Sequence, residues 1–134
     1  MRWILLAIAY MALLFALSSV PDEGEGSLGR RILFPSPALQ NLLHVPAYAL
    51  LTWLWFRALR KREWSVRPAA LTGAAVAVVY GALDEFHQYF VPGRFASITD
   101  ALFNAAGAGV VVGCVLALDR RRRMRQDYRA RNPR

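Results

Sequence analysis

Cysteine is nearly absent: the 134-residue chain has one, Cys114, so neither an internal disulfide nor a cysteine metal cluster can be built within it. Lying inside an apolar stretch, Cys114 reads as a small packing residue. Acid is scarce as well, with 9 Asp and Glu against 17 Lys and Arg, although 56% of the residues are hydrophobic. Charge is missing altogether from residues 3–20, 69–83 and 101–118, and residues 38–56 hold only His44 as an ionisable group besides a tyrosine. An ordinary soluble domain, in which charges recur every few residues along an amphipathic period, is excluded by these gaps.

What is present is four apolar runs separated by charged connections. Crossing about 30 Å of hydrocarbon takes roughly 20 helical residues, which the first, second and fourth runs approach. The third falls short and reaches span length only by continuing through Asp84, Glu85, His87 and Gln88 to Val91. The expected fold is all-α, a four-transmembrane-helix integral membrane bundle in one domain. Its helices are expected at about 3–20, 38–57, 68–91 and 98–118, with a basic tail over 119–134. A cleaved signal peptide is the alternative for the first run, but that run exceeds the roughly 7–15 apolar residues of such a segment.

Basic residues are distributed unevenly among the connections. Alternating spans with a cytoplasmic N-terminus put 14 Lys and Arg inside and leave Arg30, Arg31 and Arg94 outside. The positive-inside rule then makes both termini cytoplasmic. The tail has eight arginines but no aromatic beyond Tyr128, so topology and anionic lipid headgroups account for it better than nucleic acid.

Local signals refine the outline. The loop over residues 21–37 is rich in Gly, Pro and Ser, and Ile32, Leu33 and Phe34 are expected to dip into the outer interface. Pro46 predicts a kink just beyond His44. Gly73, Ala77 and Gly81, and Ala105, Gly109 and Gly113, recur every four residues, a spacing that predicts close packing of the third helix on the fourth. Val91, Pro92, Gly93 and Arg94 have tight-turn chemistry, and Ser97 with Asp100 reads as a variant capping box opening the last helix.

In this arrangement the intramembrane polar groups gather at one end. His44 lies on helix two, Asp84 to Gln88 close helix three, Arg94 is in the turn, and Asp100 and Asn104 open helix four. Tyr80, Asp84, His87 and Gln88 share a face at spacings of three and four, with Glu85 about 100° round. Charged side chains in a membrane are costly unless paired or wetted, which points to a shared polar cavity. The bland alternatives are a headgroup contact or ion pair for Arg94, hydration for His44 and an interhelical hydrogen bond for Asn104.

The run from Asp84 to Arg94, followed by Asp100 and Asn104 before Gly107, resembles the signature of the VanZ-like family of bacterial membrane proteins. Ser18 to Pro21, and His44 with Tyr48, resemble other recurring positions of that family. The resemblance spans residues 3–118 and implies a multi-pass protein of the bacterial plasma membrane, associated with resistance to the glycopeptide teicoplanin. It also implies a distant kinship with enzymes that exchange lipid headgroups, which would carry over His44, Asp84, Glu85, His87, Arg94, Asp100 and Asn104 as the polar site. Where many relatives have Ser after the turn arginine, this chain has Phe95-Ala96-Ser97.

The leading expectation is an enzyme acting on a phospholipid or polyprenyl-phosphate-linked envelope substrate at the outer leaflet. Arg94 would clamp phosphate, His87 or His44 would transfer protons, and Asp84, Glu85 and Asp100 would hold a hard divalent cation. Tyr48, Gln88, Ser97 and Asn104 would line the substrate site. The alternatives are a non-catalytic protein that binds a lipid or lipoglycopeptide, and a subunit whose polar cluster only fixes helix packing. Membrane lipids and the lipid-linked substrate are the expected partners.

Overall fold

The structure, a computed structural model, describes residues 1–21, 37–94 and 96–132, with side chains in the second helix from residue 41 onward. The described chain is four helices and, among these residues, no strand: α1 Arg2–Ser18, α2 Pro37–Arg60, α3 Val66–Gln88 and α4 Ile98–Arg131. Three are long and apolar enough to cross a membrane, and α1 is a shorter apolar helix. The expected interfacial placement of Ile32, Leu33 and Phe34 lies outside the described residues.

Burial is inverted relative to a water-soluble bundle. Val79, Leu83, Phe86 and Leu102 point outward with 60% or more of their surface exposed, whereas Thr52, Asp84 and Asn104 are buried. Such an apolar exterior suits lipid, where the hydrophobic effect cannot hold helices together and close packing must. α2 is the hub: α1, α3 and α4 all pack on it, and α1 does not reach α4.

The small residues responsible differ partly from the expected ones. On α3, a Cβ at Gly73 would lie 3.0 Å from both Thr52 O and Phe56 N of α2. Ala77 is fully buried beside Tyr48 and Leu51. The α3 stripe is therefore a packing surface, with α2 as its main partner. On α4 the expectation fails, because a Cβ at Gly109 or Gly113 would meet nothing within 4 Å. Gly107 makes the close approach instead, where a Cβ would fall 2.2 Å from Val45 O of α2. The four-residue period was real but faced lipid, and the contact lies on another side of the helix.

Helix ends follow local chemistry. Pro46 lies within an unbroken α2, and lacking an N–H it cannot bond the Leu42 carbonyl one turn back. α3 starts at Val66 after Ser65, so Pro68 falls in the first turn, where no intrahelical N–H donor is required. It ends at Gln88, earlier than expected, and Arg94 N bonds Val91 O at 3.1 Å across a turn in which Gly93 has φ 75°. That positive φ needs glycine, and Pro92 before it supplies the fixed dihedral of a type II turn. The basic tail also departs from expectation: α4 continues through it to Arg131, with Asp119 and Arg123 paired at 2.9 Å one turn apart.

At the end of the bundle opposite the polar groups, Trp3 of α1 meets Trp53 of α2 edge to face, with ring centroids 5.3 Å apart. The Arg57 guanidinium covers both rings, at 4.7 and 5.3 Å. The arrangement fits an interfacial aromatic anchor capped by a cation.

Substitution of Gly107 by Ala should abolish or sharply reduce folded yield, because the added methyl collides with α2 backbone. Gly109→Ala should be neutral or stabilising by about 0.5–1 kcal/mol, the ordinary helix preference for Ala over Gly. Thermal unfolding of the detergent-purified variants checks this, and equal effects at the two positions would contradict the packing described.

Candidate functional site

The C-terminal ends of α1 and α3 and the N-terminal halves of α2 and α4 meet at one end of the bundle, and there the polar side chains face one another. Asp84 and Glu85, adjacent in the last turns of α3, are both 6% exposed, and they diverge as the helical period requires.

Asp84 points to α1. Ser18 Oγ donates to its Oδ1 at 2.6 Å, Gln88 Nε2 donates to Oδ2 at 3.2 Å, and the Tyr48 hydroxyl approaches Oδ2 at 3.5 Å. The rest of the same face also meets α1. Tyr80 donates to Met11 O at 2.6 Å, and His87 Nε2 lies 2.9 Å from Ser19 Oγ with its ring against Phe15. Ser19 Oγ is 2.6 Å from Phe15 O and gives its proton there, so His87 Nε2 is the donor of that pair and Nδ1 keeps the lone pair.

Glu85 points to α4. Its Oε2 accepts from Ser97 N at 2.9 Å, while Ser97 Oγ accepts from Asp100 N at 3.3 Å. Ser97 is therefore the N-cap of α4, as the sequence suggested. The reciprocal half of the capping box comes from a neighbouring helix, with Glu85 in the place of the last helix's own acid. Among the described residues Glu85 Oε1 is buried with no hydrogen-bond partner.

A second cluster forms where α2 meets α4. His44 Nδ1 lies 2.8 Å from Asn104 Oδ1, and His44 Nε2 lies 4.0 Å from Asp100 Oδ2. Asn104 is 1% exposed and sits against Gly81, where a Cβ would fall 2.8 Å from its Nδ2. A ring nitrogen of His44 and one oxygen each of Glu85 and Asp100 lie within 4.8 Å of one another. This changes the expected cation set of Asp84, Glu85 and Asp100: Asp84 faces α1 with both oxygens engaged, and His44 stands in its place.

Arg94, expected as a phosphate clamp, bonds the end of α1. Its Nε donates to Val20 O at 3.2 Å and one Nη to Leu17 O at 3.1 Å. These carbonyls lie at the end of α1, where the helix dipole is negative, so a guanidinium there is a strut between the α3–α4 turn and α1.

A family model described as VanZ/LLP1 matches residues 3–119. The chain belongs to the VanZ/LLP1 family. No curated protein and no solved structure matches it. The VanZ/LLP1 match begins in α1 and ends within α4 just past Leu118, so it takes in every helix that contributes to the polar end.

Ser18 and Ser19 bond the two α3 side chains that matter most, and reasoning from charge placement passed them over as site residues. Their signal was two hydroxyls closing a helix that is otherwise apolar. The α1 carbonyls that hold Arg94 left no signal at all, since backbone acceptors have no sequence signature.

Arg94→Ala removes two charge-assisted bonds, each worth about 1.5–3 kcal/mol, and should lower the thermal midpoint by several degrees in detergent. Arg94→Lys should recover less than half, since an ammonium cannot fork to two carbonyls. Unchanged stability of the alanine variant would refute the strut.

Proposed function

We propose that this VanZ/LLP1 protein is an enzyme of the bacterial plasma membrane that transfers a headgroup or phosphoester on a phospholipid or polyprenyl-phosphate-linked substrate. The observation that carries the reading is the Ser19–His87 contact at the rim of the polar end. An imidazole within 2.9 Å of a hydroxyl lies there beside Phe86, Tyr89 and Phe90, each 65–70% exposed to the surroundings of the bundle.

A lipid-borne phosphoester entering from the bilayer would meet these aromatic rings first and His87 next. His87 Nδ1 takes the proton of an acceptor hydroxyl, the new P–O bond forms as the bond to the departing alcohol breaks, and the imidazolium returns the proton to the departing alkoxide. Ser19 positions the imidazole by accepting from Nε2, and Asp84 with Ser18 fixes the helix ends that bring the two together. The balance of 14 basic residues against three supports cytoplasmic termini and an outer-leaflet location for this end.

Membership of the VanZ/LLP1 family supports a connection with teicoplanin resistance. A non-catalytic lipid or lipoglycopeptide binder is the second reading, and the full engagement of the Asp84 carboxylate by Ser18, Gln88 and Tyr48 favours it.

In a bacterial host lacking the gene, lipid profiles and teicoplanin susceptibility should be restored by the wild-type chain. His87→Ala should not restore them at equal membrane abundance, with the transfer rate lowered about 10²–10⁴-fold. Full restoration by His87→Ala would leave the binder standing, and identical lipid profiles with and without the gene would overturn the enzyme.

A further inference from the structure

We infer that His44, Glu85 and Asp100 form a binding site for one divalent cation of the Zn²⁺ or Mn²⁺ class, between α2, α3 and α4. The inference concerns metal binding alone and is independent of the reaction proposed at His87.

The first reason is distance. His44 Nε2 and Asp100 Oδ2 are 4.0 Å apart, too far for the 2.7–2.9 Å typical of a charge-assisted hydrogen bond. Two ligands bound to one cation at roughly 2.0–2.4 Å each lie about 3–4.5 Å apart. The donor atoms of all three residues fall within 4.8 Å of one another, so coordination needs side-chain movements of under about 1 Å.

The second reason is the state of the imidazole. Asn104 presents Oδ1, which only accepts, so His44 Nδ1 carries the ring proton and Nε2 keeps its lone pair on the side of Asp100. A histidine whose far nitrogen is held by an amide or carbonyl oxygen is the usual second-shell arrangement of a metal-ligating imidazole. Asn104 is thus a positioning residue, itself held by Gly81, whose missing side chain makes its space.

The third reason is an unmet demand. Glu85 is over nine-tenths buried, its Oε2 is occupied by Ser97 N, and its Oε1 has no hydrogen-bond partner among the described residues. A buried carboxylate oxygen left so is costly unless something positive satisfies it. Two carboxylates and an imidazole lone pair crowd acceptors together, and a cation relieves that repulsion. One nitrogen with two carboxylate oxygens suits Zn²⁺ or Mn²⁺ better than the all-oxygen preference of Mg²⁺ or Ca²⁺.

The full chain, purified in detergent and stripped with chelator, should take up about one Zn²⁺ or Mn²⁺ per chain, measured by elemental mass spectrometry after gel filtration. Its thermal midpoint should rise on loading and fall again with chelator. His44→Ala, Glu85→Gln and Asp100→Asn should each weaken binding more than tenfold, and Asn104→Ala about 10–100-fold as an outer-shell change. Asp84→Asn should bind normally, because Asp84 faces α1. Co²⁺ absorption of the wild-type chain gives a readout that does not depend on any variant folding, and a nitrogen-and-oxygen-ligated spectrum is expected. Failure of the wild-type chain to bind Zn²⁺, Mn²⁺ and Co²⁺ would overturn the site. Equal loss in Asp84→Asn and Asp100→Asn would overturn the ligand set.

Discussion

Asp84 and Glu85 leave α3 about 100° apart, and in a lipid-embedded bundle neither carboxylate can turn to bulk water. Each is therefore met by a different neighbour. Asp84 is bound by Ser18 at the end of α1, and Glu85 accepts the first free N–H of α4 at Ser97. Two consecutive residues thus tie both flanking helices to α3, and the positions of His87, Arg94 and Asp100 depend on those two attachments. His87 reaches Ser19 because Ser18 is already held, and Asp100 lies 4.0 Å from His44 Nε2 while Glu85 takes the capping role.

Close packing around α2 makes those attachments geometrically possible. Gly73, Gly81 and Gly107 bring α3 and α4 into near contact with α2 or with the side chains it carries. Where backbones approach this closely, the space left for polar groups is small and fixed. Tyr48, Thr52 and Asn104 fill it at 2% exposure or less. The edge-to-face Trp3–Trp53 pair under Arg57 secures the other end of the α1–α2 pair, so α1 is held at both ends although it packs on two helices. α1 is also the helix that brings Ser18 and Ser19 to the polar end, so its attachment governs the site.

Much of the outline was legible in one dimension. Charge-free runs mark the helices because a charged side chain costs several kcal/mol in hydrocarbon. The α3 face of Tyr80, Asp84 and His87 was predictable from the helical period, and all three side chains do meet the same neighbour. The Pro92–Gly93 turn and the Ser97 cap were readable because each rests on backbone chemistry that few residue types supply. The period of Gly109 and Gly113 misled, since small residues at this spacing permit close packing on any face and do not say which face is used. Helix α4 outran its apolar segment because arginine is a good helix former and lipid is not needed for a solvated helix to continue.

The sequence by itself determined a helical membrane bundle, the number of its helices and the end at which polar groups collect. Each of these follows from local composition and from the length a bilayer demands. Tertiary structure alone decided which polar group meets which. It moved Asp84 away from Asp100, put His44 beside Glu85 and Asp100, and committed Arg94 to the carbonyls of α1. Those partners come from helices up to 77 residues apart in the chain, and they are chosen by how the helices rotate about their axes. That rotation is set by glycine contacts and backbone acceptors between helices, which no local pattern encodes.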